Sequence, residues 1–264
     1  MIVVTGATGN VGRELVQALT SAGEQVRAVS REAPEWPADL TEPASLRGAL
    51  EGADALFLLV AGEAPHDILD LAKTSGVRRV VLLSSQGAGT RPEIYRHPAG
   101  FEDAIRGSGL EWTILRPGGF HSNAYAWAET VRSSRMVAAP FGDVALPSID
   151  PGDIAEVAAA TLREPGHAGR AYVLTGPAAI TPRQRAEAIG AALGTPVRFV
   201  EQTREEARTQ MLRFMPEPVV AATLTVIGAP SAAEQEVSPA VENVLGRPPR
   251  TFADWAVRNV AAFR

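Results

Sequence analysis

Met1-Ile-Val-Val-Thr-Gly-Ala-Thr-Gly-Asn-Val-Gly12 decides the fold of this 264-residue chain. An apolar run begins at the second residue and breaks into three glycines, Gly6, Gly9 and Gly12. Val11, Leu15, Val16 and Leu19 then recur at helical spacing, so the order is strand, tight turn, helix. Such a turn suits a backbone that must approach a pyrophosphate. Gly6 permits the sharp turn, Gly9 removes the Cβ that would hold phosphates away, and Gly12 lets helix and strand pack closely. The N–H groups that open the helix then face the anion, aided by the helix dipole. Three glycines alone are a weak signal; the strand before and the helix after give them weight. The candidate phosphate cradle is therefore Gly6, Thr8, Gly9, Asn10, Val11 and Gly12.

Outward from that turn, strand and helix alternate. Strands are expected at 25–30, as a stub at 38–40, and at 53–61, 78–85 and 111–116. Helices are expected at 11–22, in a short segment capped by Thr41 and carrying Leu46 and Leu50, and at 65–75 and 93–108. The run 53–61, apolar after Asp54, reads as a strand buried on both faces, as in parallel sheets. The alternation implies right-handed crossovers and an α/β fold, a Rossmann-type doubly wound parallel sheet. Beyond Pro117 the spacing loosens. A helix is expected at 124–132, another over Pro151–Arg163 capped by Asp150, and a late strand at about 170–174. Thr181-Pro-Arg-Gln184 and Thr203-Arg-Glu-Glu206 are capping boxes, and Ser238-Pro239 is a cap followed by proline. These C-terminal helices have no strand partners of their own except 196–200. The expected organisation is a dinucleotide-binding core over 1–150. A small, mostly helical lobe over 151–264 would cover the substrate at the carboxyl edge of the sheet, with the late strand joining the core sheet.

Composition narrows the function classes. Apolar residues make up 45% and charged residues 21%, as in an ordered globular protein. A net charge of −5 without a basic stripe or tail argues against nucleic acid as a partner. The absence of cysteine excludes disulfides, thiolate nucleophiles and cysteine-based metal sites. No cationic segment precedes the first apolar run and no apolar stretch approaches membrane-spanning length, so no membrane association and a cytoplasmic location are expected. No metal site is expected either: His66 with Asp67 or Asp70 sits on a crossover helix without a second histidine nearby. The partner expected is a small-molecule substrate, and a homodimer is left open.

The end of the second strand discriminates the cofactor. A carboxylate there accepts from the 2′-hydroxyl of NAD, whereas a cation there favours the 2′-phosphate of NADP. This chain offers Ser30-Arg31 at that position and Arg13 just inside the first helix, and arginine donates two parallel hydrogen bonds to a phosphate. Arg13 as a solvated helix residue and Arg31 as a plain turn residue are the bland alternatives, and Glu32 and Glu35 lower the local potential. NADP is favoured, with NAD the lesser option. Asp39 and Leu40 border the adenine, although Asp39 serves equally well as a cap for the following helix. Val60-Ala61-Gly62 is small enough to lie against the adenosine ribose. Ligands of such sheets lie beyond the carboxyl ends of the strands, which puts the nicotinamide near Ser84-Ser85 and Arg116-Pro117-Gly118, with Phe120 following.

Three segments carry a family resemblance. Thr5-Gly-Ala-Thr-Gly-Asn-Val-Gly12, Leu82-Leu-Ser-Ser-Gln86 and Trp112-Thr-Ile-Leu-Arg-Pro-Gly118 resemble the atypical short-chain dehydrogenase/reductase group. Within it the chain is similar to the NmrA-like proteins and their NAD(P)H-dependent quinone, azo-dye and triphenylmethane reductases. Leu245-Gly-Arg-Pro-Pro-Arg-Thr-Phe252 resembles the tail of many of these. The resemblance implies an NAD(P)-binding fold and, in ordinary members of the superfamily, a Tyr-x-x-x-Lys pair whose lysine lowers the tyrosine pKa. The chain has 24 arginines and one lysine, Lys73, and none of Tyr95, Tyr125 and Tyr172 has a lysine four residues on. The pair is absent, which counts against alcohol–ketone dehydrogenation and sugar-nucleotide epimerisation by the usual route.

What remains is hydride transfer that needs little protein acid. Quinones and conjugated dyes accept hydride with a strong intrinsic driving force, and the protein mainly positions the two reactants. The catalytic candidates are His121, which follows the Pro117-Gly118-Gly119 turn, together with Ser85 and Tyr95. Ser85 and Gln86 can donate to an acceptor oxygen or simply cap the loop after the strand. Gln86, His97, Phe120, His121, Asn123, Tyr125 and Trp127 are the substrate candidates, the aromatics as a lid for a flat acceptor or as helix residues packing on the lobe. In related reductases a His or Lys stands three or four residues before a Glu; His97 and Glu102 stretch that spacing. The leading expectation is NADPH-dependent reduction of a quinone-like or other conjugated molecule. The alternative is a non-catalytic NADP-binding redox sensor of the NmrA type.

Overall fold

Every residue of Ile2–Thr5 is buried, and the strand is paired on both edges. The computed structural model describes residues 1–264. In chain order the first elements are β1 (Ile2–Thr5), α1 (Asn10–Ser21), β2 (Val26–Val29), α2 (Arg47–Leu50), β3 (Ala55–Leu59), α3 (Pro65–Thr74) and β4 (Arg79–Leu83). Then come α4 (Gln86–Thr90), α5 (Arg96–Gly107), β5 (Glu111–Pro117), α6 (Ala128–Ser134), β6 (Met136–Pro140), α7 (Pro151–Arg163) and β7 (Arg170–Leu174). The last are α8 (Pro182–Leu193), β8 (Arg198–Gln202), α9 (Arg204–Met211), α10 (Glu217–Gly228), α11 (Ala232–Gln235), α12 (Ala240–Leu245) and α13 (Phe252–Arg258).

The chain divides into two compact units. The first comprises Met1–Pro117, Pro151–Leu174 and Ala240–Arg247; the second comprises Gly118–Asp150, Thr175–Pro239 and Pro248–Arg264. The expected lobes, 1–150 and 151–264, are contiguous, whereas these units are interleaved along the chain.

In the first unit six parallel strands run in the order β2-β1-β3-β4-β5-β7, the doubly wound sheet expected. The strand order reverses at β1, with β2 on one side and β3 on the other, and that switch point is where the glycine turn emerges. Phe57 and Leu58 of β3 and Val80 to Leu82 of β4 are almost wholly buried, which fits the unbroken apolar runs read from the sequence. The late strand is β7, paired with β5. Alanine-rich α7 packs against α1, the small side chains permitting a close approach. Arg247, just past α12, ties that helix to Asp153 and Glu156 of α7.

Three local expectations change. The stub at 38–40 is not a strand: Ser30 and Pro37 form a single bridge, and Pro34 and Pro37 lack the N–H groups a longer ladder needs. Thr41 does not cap a helix, because it gives its backbone N–H and hydroxyl to Asp39, and a 3-10 turn at Pro43–Leu46 follows Glu42. The helix expected at 93–108 begins later, as α5 at Arg96, and a short helix that was not expected, α4, precedes it, with Pro92, which cannot continue a helical ladder, between the two.

The second unit is built around a two-stranded parallel pair, β6 and β8. The strand expected at 196–200 is β8, at Arg198–Gln202, and it pairs with β6, a five-residue strand ending in proline for which the sequence pattern carries no signal. The helix expected at 124–132 is a 3-10 turn, His121–Trp127, running into α6. Val131, Val137, Ile189, Phe252, Trp255 and Phe263 form the core of this unit. Both expected capping boxes, at Thr181 and Thr203, are present with both hydrogen bonds, and Ser231 and Thr251 add two more.

Candidate functional site

The turn after β1 is shaped by what cannot fit. Gly6 has φ of +62°, a region that favours glycine, and a Cβ there would stand 2.1 Å from Leu59 Cδ1. A Cβ on Gly12 would stand 2.1 Å from the Gly6 carbonyl oxygen, so the first turn of α1 lies directly on the backbone it follows. Gly9 N–H donates to Gly6 O at 2.9 Å and closes the loop. No side chain caps α1 and no acidic residue occupies its first turn, which leaves the positive end of the helix open to an anion. The Thr5 hydroxyl donates to Phe57 O and accepts from Leu59 N–H, fixing β1 against β3 just before the turn.

Arg13 and Arg31 are exposed, and neither side chain makes a hydrogen bond or salt bridge within the chain. Beside them the Ser30 Oγ is buried without a hydrogen-bond partner. Asp39 Oδ1 accepts from the Thr41 N–H and hydroxyl, each at 2.9 Å. The backbone bond, then the hydroxyl bond and the nearby Arg31 charge, lower the Asp39 pKa below its ordinary value. Asp39 thus organises its own turn. The Leu40 carbonyl lies under Gly62: a Cβ on Gly62 would approach that oxygen to 2.4 Å, and its φ is +76°. The segment Val60-Ala61-Gly62 is partly buried at the end of β3. A glycine cradle that a Cβ would fill, an uncapped helix start and two cations without partners fit a phosphate-bearing dinucleotide.

A buried carboxylate ties the ends of β4 and β5. Glu102, 1% exposed, accepts from Ser84 Oγ at 2.7 Å and from Arg116 through Nε at 2.9 Å and a terminal nitrogen at 2.5 Å. Arg106 adds a further bond at 2.7 Å. Burial alone would raise the Glu102 pKa, but the bonds from Arg116, Ser84 and Arg106 outweigh it and hold the carboxyl below its ordinary value. The Ser84 hydroxyl is therefore committed to Glu102. This cluster was not assembled from the sequence, although the Ser84, Glu102 and Arg116 motifs were each in view. Ser85 Oγ accepts from Gly87 N–H at 3.2 Å as the N-cap of α4, which leaves its own proton to donate. The Tyr95 ring lies on Gly87, where a Cβ would meet it at 2.5 Å, so Ser85, Gln86 and Tyr95 gather around one helical turn. His97 Nε2 lies 2.7 Å from Gly62 O, linking the loop after β3 to the start of α5.

Pro117 ends β5, and Gly118 opens the second unit. There Phe120 forms a bridge with Ile149. His121 departs from the expectation of an accessible proton donor. It is 1% exposed, its Nδ1 lies 2.9 Å from Ser148 Oγ, and its ring meets Phe252 and Trp255 edge-on. The aromatic candidates do not form one lid. Tyr125 donates to Asn259 Oδ1 at 2.6 Å and packs against Trp255 and Phe263. Trp127 and Asn123 instead line a cavity of about 580 Å³ bounded by β6, α8, α9 and α10. Arg185, in the first turn of α8, also lines it.

The lone lysine is engaged elsewhere. Lys73 Nζ donates to Ser108 O at 3.0 Å, and Tyr172 OH is bonded to His167 Nδ1 at 2.8 Å. No group of three or more His, Asp or Glu side chains is arranged to hold a metal ion. No helix is long and apolar enough to cross a membrane.

The family described as NAD(P)H-binding matches residues 6–165. The (4-alkanoyl-5-oxo-2,5-dihydrofuran-3-yl)methyl phosphate reductase of Streptomyces griseus subsp. griseus is 38% identical, over 100% of this chain and 99% of that protein. The NAD(P)H azoreductase of Xenophilus azovorans is 35% identical over the same shares. Among solved structures, the NADPH-dependent quinone oxidoreductase of Escherichia coli complexed with NADPH superposes with a TM-score of 0.83 at 24% identity, covering 98% of this chain and 99% of that one.

Proposed function

The chain belongs to the NAD(P)H-binding family and is an NAD(P)H-dependent oxidoreductase; from that premise we propose that it reduces a quinone-like or other conjugated small molecule with NADPH, by direct hydride transfer without a Tyr–Lys pair. The observation that carries this reading is the engagement of Lys73 with the Ser108 carbonyl, which leaves no tyrosine with a lysine partner. A saturated ketone needs such an acid to protonate its oxygen as hydride arrives. A conjugated acceptor delocalises the incoming electron pair and takes its proton from water. The relatives support this class: one is named for a conjugated oxo-dihydrofuran phosphate and the other as an azoreductase.

In this reading the open N-terminus of α1 and the Gly6–Gly12 backbone bind the pyrophosphate. Arg13 and Arg31 bind the 2′-phosphate, and Asp39, Leu40 and Val60 to Gly62 border the adenosine. When bound, the reduced nicotinamide supplies a hydride. The Glu102 cluster holds Ser84 and Arg116, and with them the ends of β4 and β5, in fixed positions. Ser85, Gln86 and Tyr95 orient the acceptor by hydrogen bonds to its oxygen. The test is loss of NADPH absorbance with quinones, azo dyes and enones, against saturated ketones as controls. Turnover is expected with the first three only. No turnover with any of them, together with tight NADP⁺ binding, would favour a redox sensor instead.

A further inference from the structure

Two features of the second unit's cavity are mismatched unless something binds there. Its walls are largely apolar, with Trp127, Leu146, Met211, Phe214 and Ile227 among them, and no carboxylate lines it. Yet Arg185 lines it too, with its Nε buried and without a hydrogen-bond acceptor. No salt bridge neutralises this guanidinium; its one close partner is the Phe252 ring, 5.9 Å away. The side chain is half-buried, and shielding an unpaired charge even in part is costly, a cost that a ring at that distance offsets little. The position compounds the cost, because the first turn of a helix is the wrong end for a cation. Arg183, two residues earlier in the same turn, shows the usual remedy: it bonds Asp143 at 3.0 Å. Arg185 has no such acid. Burial lowers its pKa to about 10, so it is cationic at neutral pH.

We propose that this cavity binds an oxyanion carried on an apolar body, with Arg185 as the anchor for the anion. A volume of about 580 Å³ is that of a small-molecule site. The amides of Asn123, Gln202 and Gln210 supply further donors, and the Gln202 Nε2 bond to Gln210 Oε1 at 3.0 Å holds two of them together. Phe214, 62% exposed, offers apolar surface at the same cavity for a chain or ring. The shared chemistry is that of a phosphate monoester or a carboxylate attached to an acyl or alkyl group. The site lies wholly within the second unit and goes beyond the reductase reading.

The test is calorimetric titration of octyl phosphate, nonanoate and 1-octanol into the full chain saturated with NADP⁺, so that the glycine turn is already filled. At least one of the two anions should bind about tenfold or more tightly than 1-octanol, as expected for a charge-assisted hydrogen bond in a shielded site. The stronger of the two identifies the anion as phosphate or carboxylate. Arg185→Met should erase the preference and leave 1-octanol binding unchanged, and Ala138→Trp, which fills the cavity, should abolish binding of all three. Equal affinity for anion and alcohol in the unaltered protein, or a preference that survives Arg185→Met or Ala138→Trp, would overturn the proposal. If Arg185→Met does not fold by circular dichroism, the unaltered protein and Ala138→Trp decide. A chain that discriminates these ligands yet turns over no acceptor keeps the site and loses the reductase reading; one that turns over quinones without discriminating does the reverse.

Discussion

Gly12 leaves no room for a single added carbon: the position a Cβ would take is 2.1 Å from the Gly6 carbonyl oxygen, which is backbone and cannot rotate away. Gly12→Ala should therefore destabilise the protein by about 2–3 kcal/mol in urea unfolding and weaken NADP⁺ binding. Gly100, in α5 with open space around it, is the matched control, and Gly100→Ala should be neutral or stabilising by up to about 1 kcal/mol. The 2′-phosphate assignment is also a residue-scale matter. Arg31→Glu with Arg13→Ala should weaken NADPH binding by roughly tenfold or more while leaving NADH nearly unaffected, measured by fluorescence titration. The need for these glycines was legible in the sequence, because a phosphate turn requires glycine at fixed offsets. What Gly12 rests on was not legible, since that contact is with the turn itself. Nor was the burial of His121, which comes from Phe252 and Trp255, more than a hundred residues away in the chain.

Between β4 and β5 the deciding element contact is one buried carboxylate. Glu102→Gln removes the charge that Arg116, Arg106 and Ser84 all address, and should cost about 3 kcal/mol or more in thermal or urea unfolding. Its pH dependence has a definite sign. The folded-state pKa of Glu102 is depressed, so its stabilising contribution is complete above the ordinary carboxylate pKa and is lost as pH falls through the lower folded value. Acid unfolding followed by circular dichroism should accordingly be shallower in Glu102→Gln. Elements whose signals are local were legible: both capping boxes fall where the spacing placed them, and Thr181→Ala should cost about 1 kcal/mol. The short strand β6 was not, because five residues ending in Pro140 carry too little alternation, and pairing with β8 is what makes them a strand. The box at Thr251 carries a weaker signal: its partner three residues on is Asp254, where Glu or Gln is the usual residue.

For the whole molecule, a dinucleotide that binds only the folded chain must stabilise it. NADP⁺ at about a hundred times its Kd should add about 2.7 kcal/mol to unfolding, and NAD⁺ at the same concentration should add less. The regular alternation up to Pro117 made the six-stranded sheet readable in advance. The interleaving of the two units was not, because connectivity of this kind leaves no mark on local composition. It has a consequence for how the protein is made. A ribosome that has released the first 150 residues has delivered β1 to β5, but β5 still lacks β7, which occupies its free edge in the finished sheet. An unpaired parallel edge is a template for other chains. The second unit waits longer still, since Phe252, Trp255 and Phe263 of its core lie more than a hundred residues beyond that point. A fragment ending at residue 150 should accumulate as aggregate in sedimentation while the full chain stays dispersed, so the speed at which the residues beyond 150 are synthesised sets how long the nascent protein depends on chaperones.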